Sequence, residues 1–214
     1  MGGVPQRTAH LSGADDDKAA VLRLRHEVYV RDQGRLADAA DMTGTFDRFD
    51  AHAVYLLAEE KGAWAVGTVK LIADSPLGLP CDEVADLTGF RPGKRLVEFG
   101  HLMTLPRIRD RSVGTGLMRA ALHHSVVRFG ATHVLGDFFI DDLGRLRQFY
   151  TLLGFVPVGE PYRDARFQDS PLSVVAALDL DAAARRAAHT AGQHGAMLRY
   201  FFHDYHHYAN GART

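Results

Sequence analysis

The stretch from residue 96 to residue 130 constrains the fold of this 214-residue chain more than any other. Residues 96–105 are rich in strand formers, and Pro106 ends that run. A basic turn with Gly114 and Gly116 follows, and apolar residues then recur at helical spacing. The first N–H groups of such a helix lack intrahelical partners, and glycines let a phosphate approach them closely. We therefore expect either a phosphate-binding turn or a tight strand-to-helix connection whose glycines serve only packing.

The charge balance limits the partners of the chain. It carries 25 Lys and Arg against 26 Asp and Glu, a formal net charge of −1 at pH 7. Binding of an extended polyanion requires a positive excess, so we expect no nucleic-acid partner. The overall balance conceals a local excess, because Arg107, Arg109 and Arg111 lie immediately before the glycines. A small anion site is compatible with this composition.

The composition is that of an ordinary globular protein, with 46% hydrophobic and 24% charged residues. No apolar stretch approaches the roughly 20 residues of a membrane span, and the first residues lack the apolar core of a signal peptide. We therefore expect a soluble, cytoplasmic protein without a membrane span. The one cysteine, Cys81, excludes an internal disulfide and a multi-cysteine zinc site, and no neighbouring base activates its thiol.

The periodicity predicts a mixed α/β domain over residues 1–180. A loose arm at residues 1–12 precedes a helix that begins near Asp15. A short helix is expected around residues 82–87. The strand-like runs occupy residues 53–58, 64–72, 96–105, 132–139, 155–158 and 172–180, and later helices are expected at residues 117–130 and 142–153.

Residues 181–214 form a helical, aromatic and His-rich C-terminal extension. His203, His206 and His207 have the spacing of one helix face, which suits a metal ion. The same spacing on an aromatic helix is more typical of a packing or dimer surface. We expect no metal site, and the extension is a candidate homodimer surface.

Two motifs resemble those of the GNAT superfamily of acyl-CoA-dependent N-acyltransferases. The first is Arg111-x-x-Gly114-x-Gly116, and the second is the helix end at residues 150–155, which reads Tyr-x-x-x-Gly-Phe. The resemblance implies a GNAT-like mixed, mostly antiparallel central sheet flanked by helices, with acyl-CoA or acetyl-CoA as co-substrate. It implies these donor-binding residues: Leu102, Met103, Thr104, Arg109, Arg111, Ser112, Val113, Gly114, Thr115 and Gly116.

A narrower resemblance, over roughly residues 20–158, is to the autoinducer synthases and the related N-acyl amino acid synthases. It rests on four short motifs: Leu24-Arg25-x-x-Val28-Tyr29, Asp47-x-Phe49-Asp50, Val69-Lys70-Leu71 and Glu98-x-x-His101-Leu102. The resemblance implies an acyl donor carried by coenzyme A or by the phosphopantetheine of an acyl carrier protein, and an amine acceptor. The implied acceptor-binding residues are Arg25, Tyr29, Asp47, Asp50 and Lys70. A structural ion-pair cluster is an equal alternative for Arg25 and the two aspartates.

Three positions depart from the pattern of the autoinducer synthases. Arg35 stands where a tryptophan is expected, and Lys70 and His101 stand where arginines are expected. All three belong to the implied acceptor region. The departures therefore argue against homoserine-lactone synthesis and leave acyl transfer intact.

Acyl transfer from a thioester to an amine needs a base, a polarised carbonyl and an acid for the leaving thiolate. Glu98 is the expected base, and His101 is the second candidate because its ordinary pKa lies near neutrality. Residues three apart face opposite sides of a regular strand, and a bulge at Gly100 would bring the two together. The resemblance implies Tyr150 as the general acid. Each residue also has an alternative without a catalytic role. Glu98 could be a solvated carboxylate, His101 a core imidazole and Tyr150 a buried aromatic ring.

The sequence thus predicts an N-acyltransferase that moves an acyl group from acyl-CoA, or from acyl carrier protein, to the primary amine of a small molecule such as an amino acid. An acyl-homoserine-lactone synthase is the alternative within the same chemistry. A non-catalytic acyl-CoA-binding sensor or scaffold is the alternative outside it, and a metal-binding interaction module is a weaker one.

Overall fold

The computed structural model of the chain describes residues 6–9, 15–38, 42–60, 65–140 and 145–211. The chain divides into two compact units. Unit 1 comprises Met1–Ile72, Phe99–Ala121 and Ala165–Asp169, and unit 2 comprises Ala73–Glu98, Leu122–Asp164 and Ser170–Thr214.

Unit 1 combines an N-terminal helix with antiparallel strands. Helix α1 (Asp15–Arg25) continues directly as a π-helical segment (His26–Asp32). Strands β1 (Gln6–Ala9), β2 (Val54–Glu59) and β3 (Ala65–Ala73) are antiparallel neighbours in this order. Strands β2 and β3 are buried at nearly every position rather than at alternate positions, so both of their faces are covered.

Strand β4 (Leu96–Thr104) is the neighbour of β3 and runs from unit 2 into unit 1. Its regularity is broken at His101, whose φ of 50° lies in the left-handed region. That conformation is uncommon for a residue with a β-carbon. The irregularity lies next to Gly100, the position at which a bulge would bring Glu98 and His101 to the same side of the strand.

Unit 2 is centred on β8 (Leu172–Asp179), which is antiparallel to three other strands. These strands are β5 (His133–Phe139), β6 (Val156–Pro157) and β7 (Tyr162–Arg163). The helices of unit 2 include α3 (Arg145–Leu153), α4 (Leu180–His189), α5 (Gly192–Phe202) and α6 (Tyr205–Gly211). Helix α2 (Val113–Phe129) belongs partly to each unit.

The predicted fold class is confirmed, because the strands form a mixed, mostly antiparallel sheet flanked by helices, with helices at the C-terminal end. The prediction of a loose arm at residues 1–12 is wrong in part, since residues 6–9 form β1 and pair with β2. Pairing satisfies backbone groups that an isolated arm would leave to water. A 3-10 helix at Pro80–Glu83 stands where a helix over residues 82–87 was expected.

Two further expectations concern the C-terminal half. The helix expected from residue 142 is described from Arg145 onward, and residues 141–144 lie outside the described part. Helices α4 to α6 fall within unit 2, and the domain boundary at residue 180 stays a prediction. No helix in the described ranges is long and apolar enough to cross a membrane.

Candidate active site

The glycine turn, residues 111–116, leads into α2 in unit 1. Ser112 adopts a left-handed φ of 59°, and α2 begins at the next residue, Val113. The N–H groups of the first helical turn have no carbonyl of the helix to bind. A β-carbon on Gly114 would lie 3.8 Å from Thr104 Cγ2, an ordinary contact, so the protein leaves room beside this position. The turn therefore fits a phosphate group.

Gly67 of β3 allows the start of α2 to lie close to the sheet. A β-carbon at this position would lie 3.0 Å from Leu117 Cδ1, 3.1 Å from Met103 O and 3.1 Å from Thr104 Cγ2. These distances are shorter than ordinary van der Waals contacts, so only glycine fits without a shift of its neighbours. The predicted donor-binding residues Met103 and Thr104 thus lie next to the first turns of α2.

Two arginines before the glycine turn form ion pairs. Arg107 Nη1 lies 2.8 Å from Glu60 Oε2, and Arg109 Nη2 contacts Asp32 Oδ2. Such exposed pairs contribute little to stability, so Arg109 can exchange Asp32 for a phosphate at small cost. The side chain of Arg111 lies outside the described part of the structure.

Four of the five predicted acceptor residues meet in unit 1. We call Arg25, Asp47, Asp50, Lys70 and the connecting Tyr55 the ion cluster. Lys70 Nζ lies 3.0 Å from both carboxylate oxygens of Asp47 and 3.2 Å from Asp50 Oδ2. Arg25 Nη2 donates to the Tyr55 hydroxyl at 2.8 Å and lies 3.6 Å from Asp50 Oδ1. Ion pairs therefore join these residues, as the structural alternative for Arg25 and the two aspartates expects, and they include Lys70 as well. The 43% exposure of the Asp47 side chain leaves it able to meet a substrate.

Asp50 is the anionic centre of the ion cluster. Burial opposes its ionisation, but Lys70 and the Tyr55 hydroxyl, which donates to Asp50, lower the pKa of Asp50 below its ordinary 3.8. Burial raises the pKa of Tyr55 well above its ordinary 10.0, and the Asp50 carboxylate adds to that effect while Arg25 opposes it. Asp50 thus stays ionised and Tyr55 stays a neutral donor at physiological pH.

His101 is bound to the fifth predicted acceptor residue, Tyr29. The Tyr29 hydroxyl lies 3.1 Å from His101 Nδ1, and the two rings meet edge to face with centroids 5.9 Å apart. Burial and three cations lower the pKa of His101 well below its ordinary 6.5; the cations are Arg25, Lys70 and Arg166. The imidazole is therefore neutral at pH 7, and one of its ring nitrogens can accept a proton.

Glu98, the expected base, lies in unit 2 and is only 4% exposed. Its Oε2 accepts a hydrogen bond from the Cys81 N–H at 2.9 Å. Burial and the adjacent Glu98 carboxylate raise the pKa of the Cys81 thiol, in agreement with an inert cysteine. Glu98 is thus a buried, hydrogen-bonded carboxylate and not a solvated strand end.

Tyr150 lies on α3 in unit 2 and is 7% exposed. Its ring centroid lies 4.0 Å from that of Phe138 and 5.6 Å from that of Phe155. Burial raises the pKa of the Tyr150 phenol above its ordinary 10.0, so the hydroxyl keeps its proton, as a general acid requires. Within the described residues, the hydroxyl has no hydrogen-bond partner.

Tyr150 lines a cavity of about 1150 Å³ that lies wholly in unit 2. The walls come from the end of β5, from α3, from β8 and from residues 156–161. Apolar side chains dominate, among them Phe138, Ile140, Phe155 and Val174. The sequence does not indicate this cavity, because its walls are distant from one another along the chain.

The predicted site residues are therefore distributed over both units. The glycine turn, the ion cluster, Tyr29 and His101 belong to unit 1, while Glu98 and Tyr150 belong to unit 2. Sequence reasoning missed Tyr55, although Tyr55 faces Lys70 directly in the register of β2 and β3.

Two further residues of unit 1 concern the implied acceptor site: Phe167, which packs against Tyr29, and Arg35. Sequence reasoning also missed Phe167, whose ring lies 5.5 Å from that of Tyr29, and no local signal marks it. Arg35, which replaces an expected tryptophan, is 8% exposed and lies 3.7 Å from Asp169. Among the residues described, no group of three His, Cys, Asp or Glu side chains is arranged to hold a metal ion.

Comparison with known proteins identifies the chemistry. The family model of the N-acyl amino acid synthase FeeM matches residues 20–179. The structure of FeeM from uncultured soil microbes is 20% identical and matches 82% of this chain and 91% of its own, with a TM-score of 0.63. No curated protein sequence matches this chain significantly.

Other solved structures share the fold. The CoA-dependent acyl-homoserine lactone synthase BjaI, solved with SAM and isopentyl-CoA, is 21% identical over 91% of this chain and 86% of its own, with a TM-score of 0.61. Escherichia coli ElaA is 19% identical over 81% of this chain and 99% of its own, with a TM-score of 0.58. The family match spans most of the chain and includes the ion cluster, His101, the glycine turn and Tyr150. The chain therefore belongs to the FeeM family of N-acyl amino acid synthases, which are GNAT-type acyltransferases.

Proposed function

We propose that this protein is a cytoplasmic enzyme that transfers an acyl group from acyl-CoA to the primary amine of a small molecule such as an amino acid. The observation that carries the proposal is the His101 imidazole, whose Nδ1 lies 3.1 Å from the Tyr29 hydroxyl, beside the charges of Arg25 and Lys70. The fixed charges of both signs in the ion cluster suit an acceptor that carries both an ammonium group and a carboxylate, and the His101 ring offers a nitrogen for the ammonium proton.

The donor side of the proposal rests on two features. The glycine turn offers the N–H groups at the start of α2 to the pyrophosphate of coenzyme A, apart from that of Gly116, which donates to Ser112 O at 3.0 Å. The cavity of about 1150 Å³ that Tyr150 lines suits an acyl chain, because its walls are mainly apolar and its volume exceeds the roughly 300–1000 Å³ of ordinary ligand pockets. An acyl carrier protein would present the same phosphopantetheine thioester. The bound isopentyl-CoA of the structural neighbour BjaI favours coenzyme A.

In the proposed reaction, His101 takes a proton from the ammonium group of the acceptor. The freed amine attacks the thioester carbonyl, and backbone N–H groups near Leu102 and Met103 meet the oxyanion. The adduct then loses the second proton of its nitrogen to water and collapses, so that the carbon–sulfur bond breaks and the neutral amide remains. Tyr150 protonates the thiolate and is itself reprotonated from water. Nδ1–H of His101 donates to the Tyr29 oxygen in this scheme, which leaves Nε2 as the acceptor of the proton.

Glu98 is the second candidate base. Its buried carboxylate already accepts the Cys81 N–H, and this favours His101. The variants His101→Gln and Glu98→Gln distinguish the two, because loss of the base lowers kcat by about 100-fold or more. Gln keeps an oxygen for the Cys81 N–H, so Glu98→Gln is expected to fold.

The test uses the full chain with acyl-CoAs from acetyl-CoA to palmitoyl-CoA and a panel of amino acids. Release of the coenzyme A thiol and the mass of the product are measured. We expect thiol release that depends on an amino acid, with one N-acyl product for each thiol. A parallel series with an acyl carrier protein as donor distinguishes the two carriers.

Two outcomes would contradict the proposal and favour another function. Binding of acyl-CoA without thiol release over the whole panel would make the protein a sensor or scaffold. Consumption of S-adenosylmethionine with formation of a lactone would make it an acyl-homoserine-lactone synthase, the second candidate, which the likeness to BjaI favours.

The C-terminal extension, residues 181–214, is the homodimer surface we propose. Tyr200 is 43% exposed there, so its aromatic ring is accessible to a second copy of the chain. Sedimentation velocity of the full chain over a range of concentrations tests the proposal. A monomer at all concentrations would contradict it.

A further inference from the structure

Each of the last four carbonyl groups of α3, those of residues 150–153, accepts a hydrogen bond. The carbonyl of Tyr150 accepts hydrogen bonds from the N–H groups of Gly154 and Phe155, both at 3.0 Å, and that of Thr151 accepts from Gly154 at 3.1 Å. A helix leaves these four carbonyls without intrahelical donors. Only the first two are thus satisfied by the chain that directly follows α3.

The other two carbonyls are satisfied by the C-terminal extension. His194 Nε2 of α5 lies 2.9 Å from Leu152 O, and Arg186 Nη2 of α4 lies 3.3 Å from the same atom. The Arg186 Nη2 atom also donates to Leu153 O. Gly154 leaves room for this arrangement, because its φ of 107° and the Arg186 guanidinium packed against it exclude a β-carbon. A cation at the negative end of a helix is also electrostatically favourable.

The donors on α4 and α5 lie outside the part of the chain that matches the family. The family model ends at residue 179, and α4 begins at Leu180. A further contact joins the same two regions, since the Phe201 and Phe149 ring centroids lie 5.9 Å apart. The extension is thus in direct contact with the helix that carries Tyr150.

We propose that Arg186 and His194 are positioning residues for Tyr150, and this inference rests on the proposed function. Tyr150 occupies the last turn of α3, the part of a helix that frays most readily. Within the described residues, only ring packing and no hydrogen bond fixes the Tyr150 side chain. The backbone of the last turn therefore determines where the hydroxyl lies, and the extension holds that backbone from outside.

The first experiment compares Arg186→Met with Arg185→Met. Arg185 is the adjacent residue of α4, is 60% exposed and pairs with Asp181 rather than with α3. Hydrogen–deuterium exchange of the peptide containing residues 145–158 is measured together with the thermal unfolding of each variant. We expect about fivefold or faster exchange in the last turn of α3 for Arg186→Met only, the effect of losing about 1 kcal/mol. Equal exchange in both variants would overturn the inference.

The second experiment is a kinetic double-mutant cycle of Arg186→Met with Tyr150→Phe. We expect Arg186→Met to lower kcat about fivefold or more, with little change in the KM for acyl-CoA. In the Tyr150→Phe background the same substitution should no longer lower kcat, because the group it positions is absent. A purely structural role would lower kcat equally in both backgrounds and would contradict the inference.

The milder variant His194→Ala keeps the inference testable if Arg186→Met does not fold. It removes one hydrogen bond and should likewise lower kcat only where the Tyr150 hydroxyl is present, at smaller amplitude. Additive kinetics for His194→Ala would then contradict the inference. The result that contradicts the proposed function is different, because full activity of Tyr150→Phe alone removes Tyr150 from catalysis whatever Arg186 does.

Discussion

The Tyr29 hydroxyl lies 3.1 Å from Nδ1 of His101, and the peptide backbone of His101 adopts a φ of 50°. The left-handed conformation turns the imidazole out of the regular alternation of β4. The hydrogen bond then fixes the rotation of the ring and determines which nitrogen remains for a substrate. Tyr29 and His101 thus act as one unit in the proposed chemistry.

Substitution of Tyr29 by Phe tests that relationship. The Tyr29→Phe variant keeps the ring packing against Phe167 and removes only the hydroxyl. Loss of one hydrogen bond of about 1 kcal/mol predicts a kcat about fivefold lower. Steady-state kinetics at saturating donor and acceptor measure it. An unchanged kcat would show that the bond does not orient the base.

The low pKa of His101 predicts how stability depends on pH. The folded protein holds this pKa well below 6.5, so between the two values the unfolded chain binds more protons than the folded chain. The corresponding stability is fully present above pH 6.5 and is lost as the pH falls from 6.5 toward the folded pKa.

The comparison of wild type with His101→Gln measures that dependence. Urea unfolding between pH 7.5 and pH 5 should show a smaller loss of stability for His101→Gln, since Gln does not titrate. The pKa of His133 is lowered by burial as well, so a residual dependence is expected in both proteins. Parallel curves for the two proteins would contradict the assigned pKa of His101.

Local sequence signals predicted those parts of the site that form within one short segment. The glycine turn is such a part, because a strand end, two glycines and a helical period follow one another directly. Gly100 likewise marked the irregularity of β4 at the next residue. The family resemblance, rather than a local signal, selected Arg25, Asp50 and Lys70, which meet in one cluster.

Contacts between distant segments were not predictable in this way. The Cys81 N–H donates to Glu98 from 17 positions earlier in the chain, and Glu98 is a buried carboxylate rather than a solvated one. Arg186 likewise binds a carbonyl 33 positions earlier in the chain. Such contacts depend on how elements pack, and a periodicity within one element contains no information about its partner.

Lys70 is expected to be important for stability as well as for acceptor binding. The Lys70 side chain is 1% exposed and faces two carboxylates, Asp47 and Asp50. Lys70→Met removes the closer of the two cations beside the buried Asp50 and leaves Arg25 at 3.6 Å. Removal of one partner of a buried pair costs about 3–5 kcal/mol, and the remaining Arg25 makes that value the upper end of the expected loss. The control is Arg31→Met, which breaks the pair with Glu27 at 65% exposure and should cost about 1 kcal/mol or less. Urea unfolding at pH 7 compares the two, and equal losses would contradict a buried charge cluster.

The glycine turn provides the sharpest separation of binding from folding. A β-carbon on Gly114 meets only Thr104 Cγ2, at 3.8 Å, so Gly114→Val should fold with a Tm near that of the wild type. Its side chain would occupy the space beside the helix start that we assign to the pyrophosphate, so the KM for acyl-CoA should rise about tenfold, equivalent to about 1.4 kcal/mol. Gly89→Val, at a position with nothing within 4 Å of a β-carbon, is the matched control and should leave the KM unchanged. Isothermal titration with coenzyme A gives the same comparison without turnover. Equal affinities of Gly114→Val and Gly89→Val for coenzyme A would contradict phosphate binding at this turn.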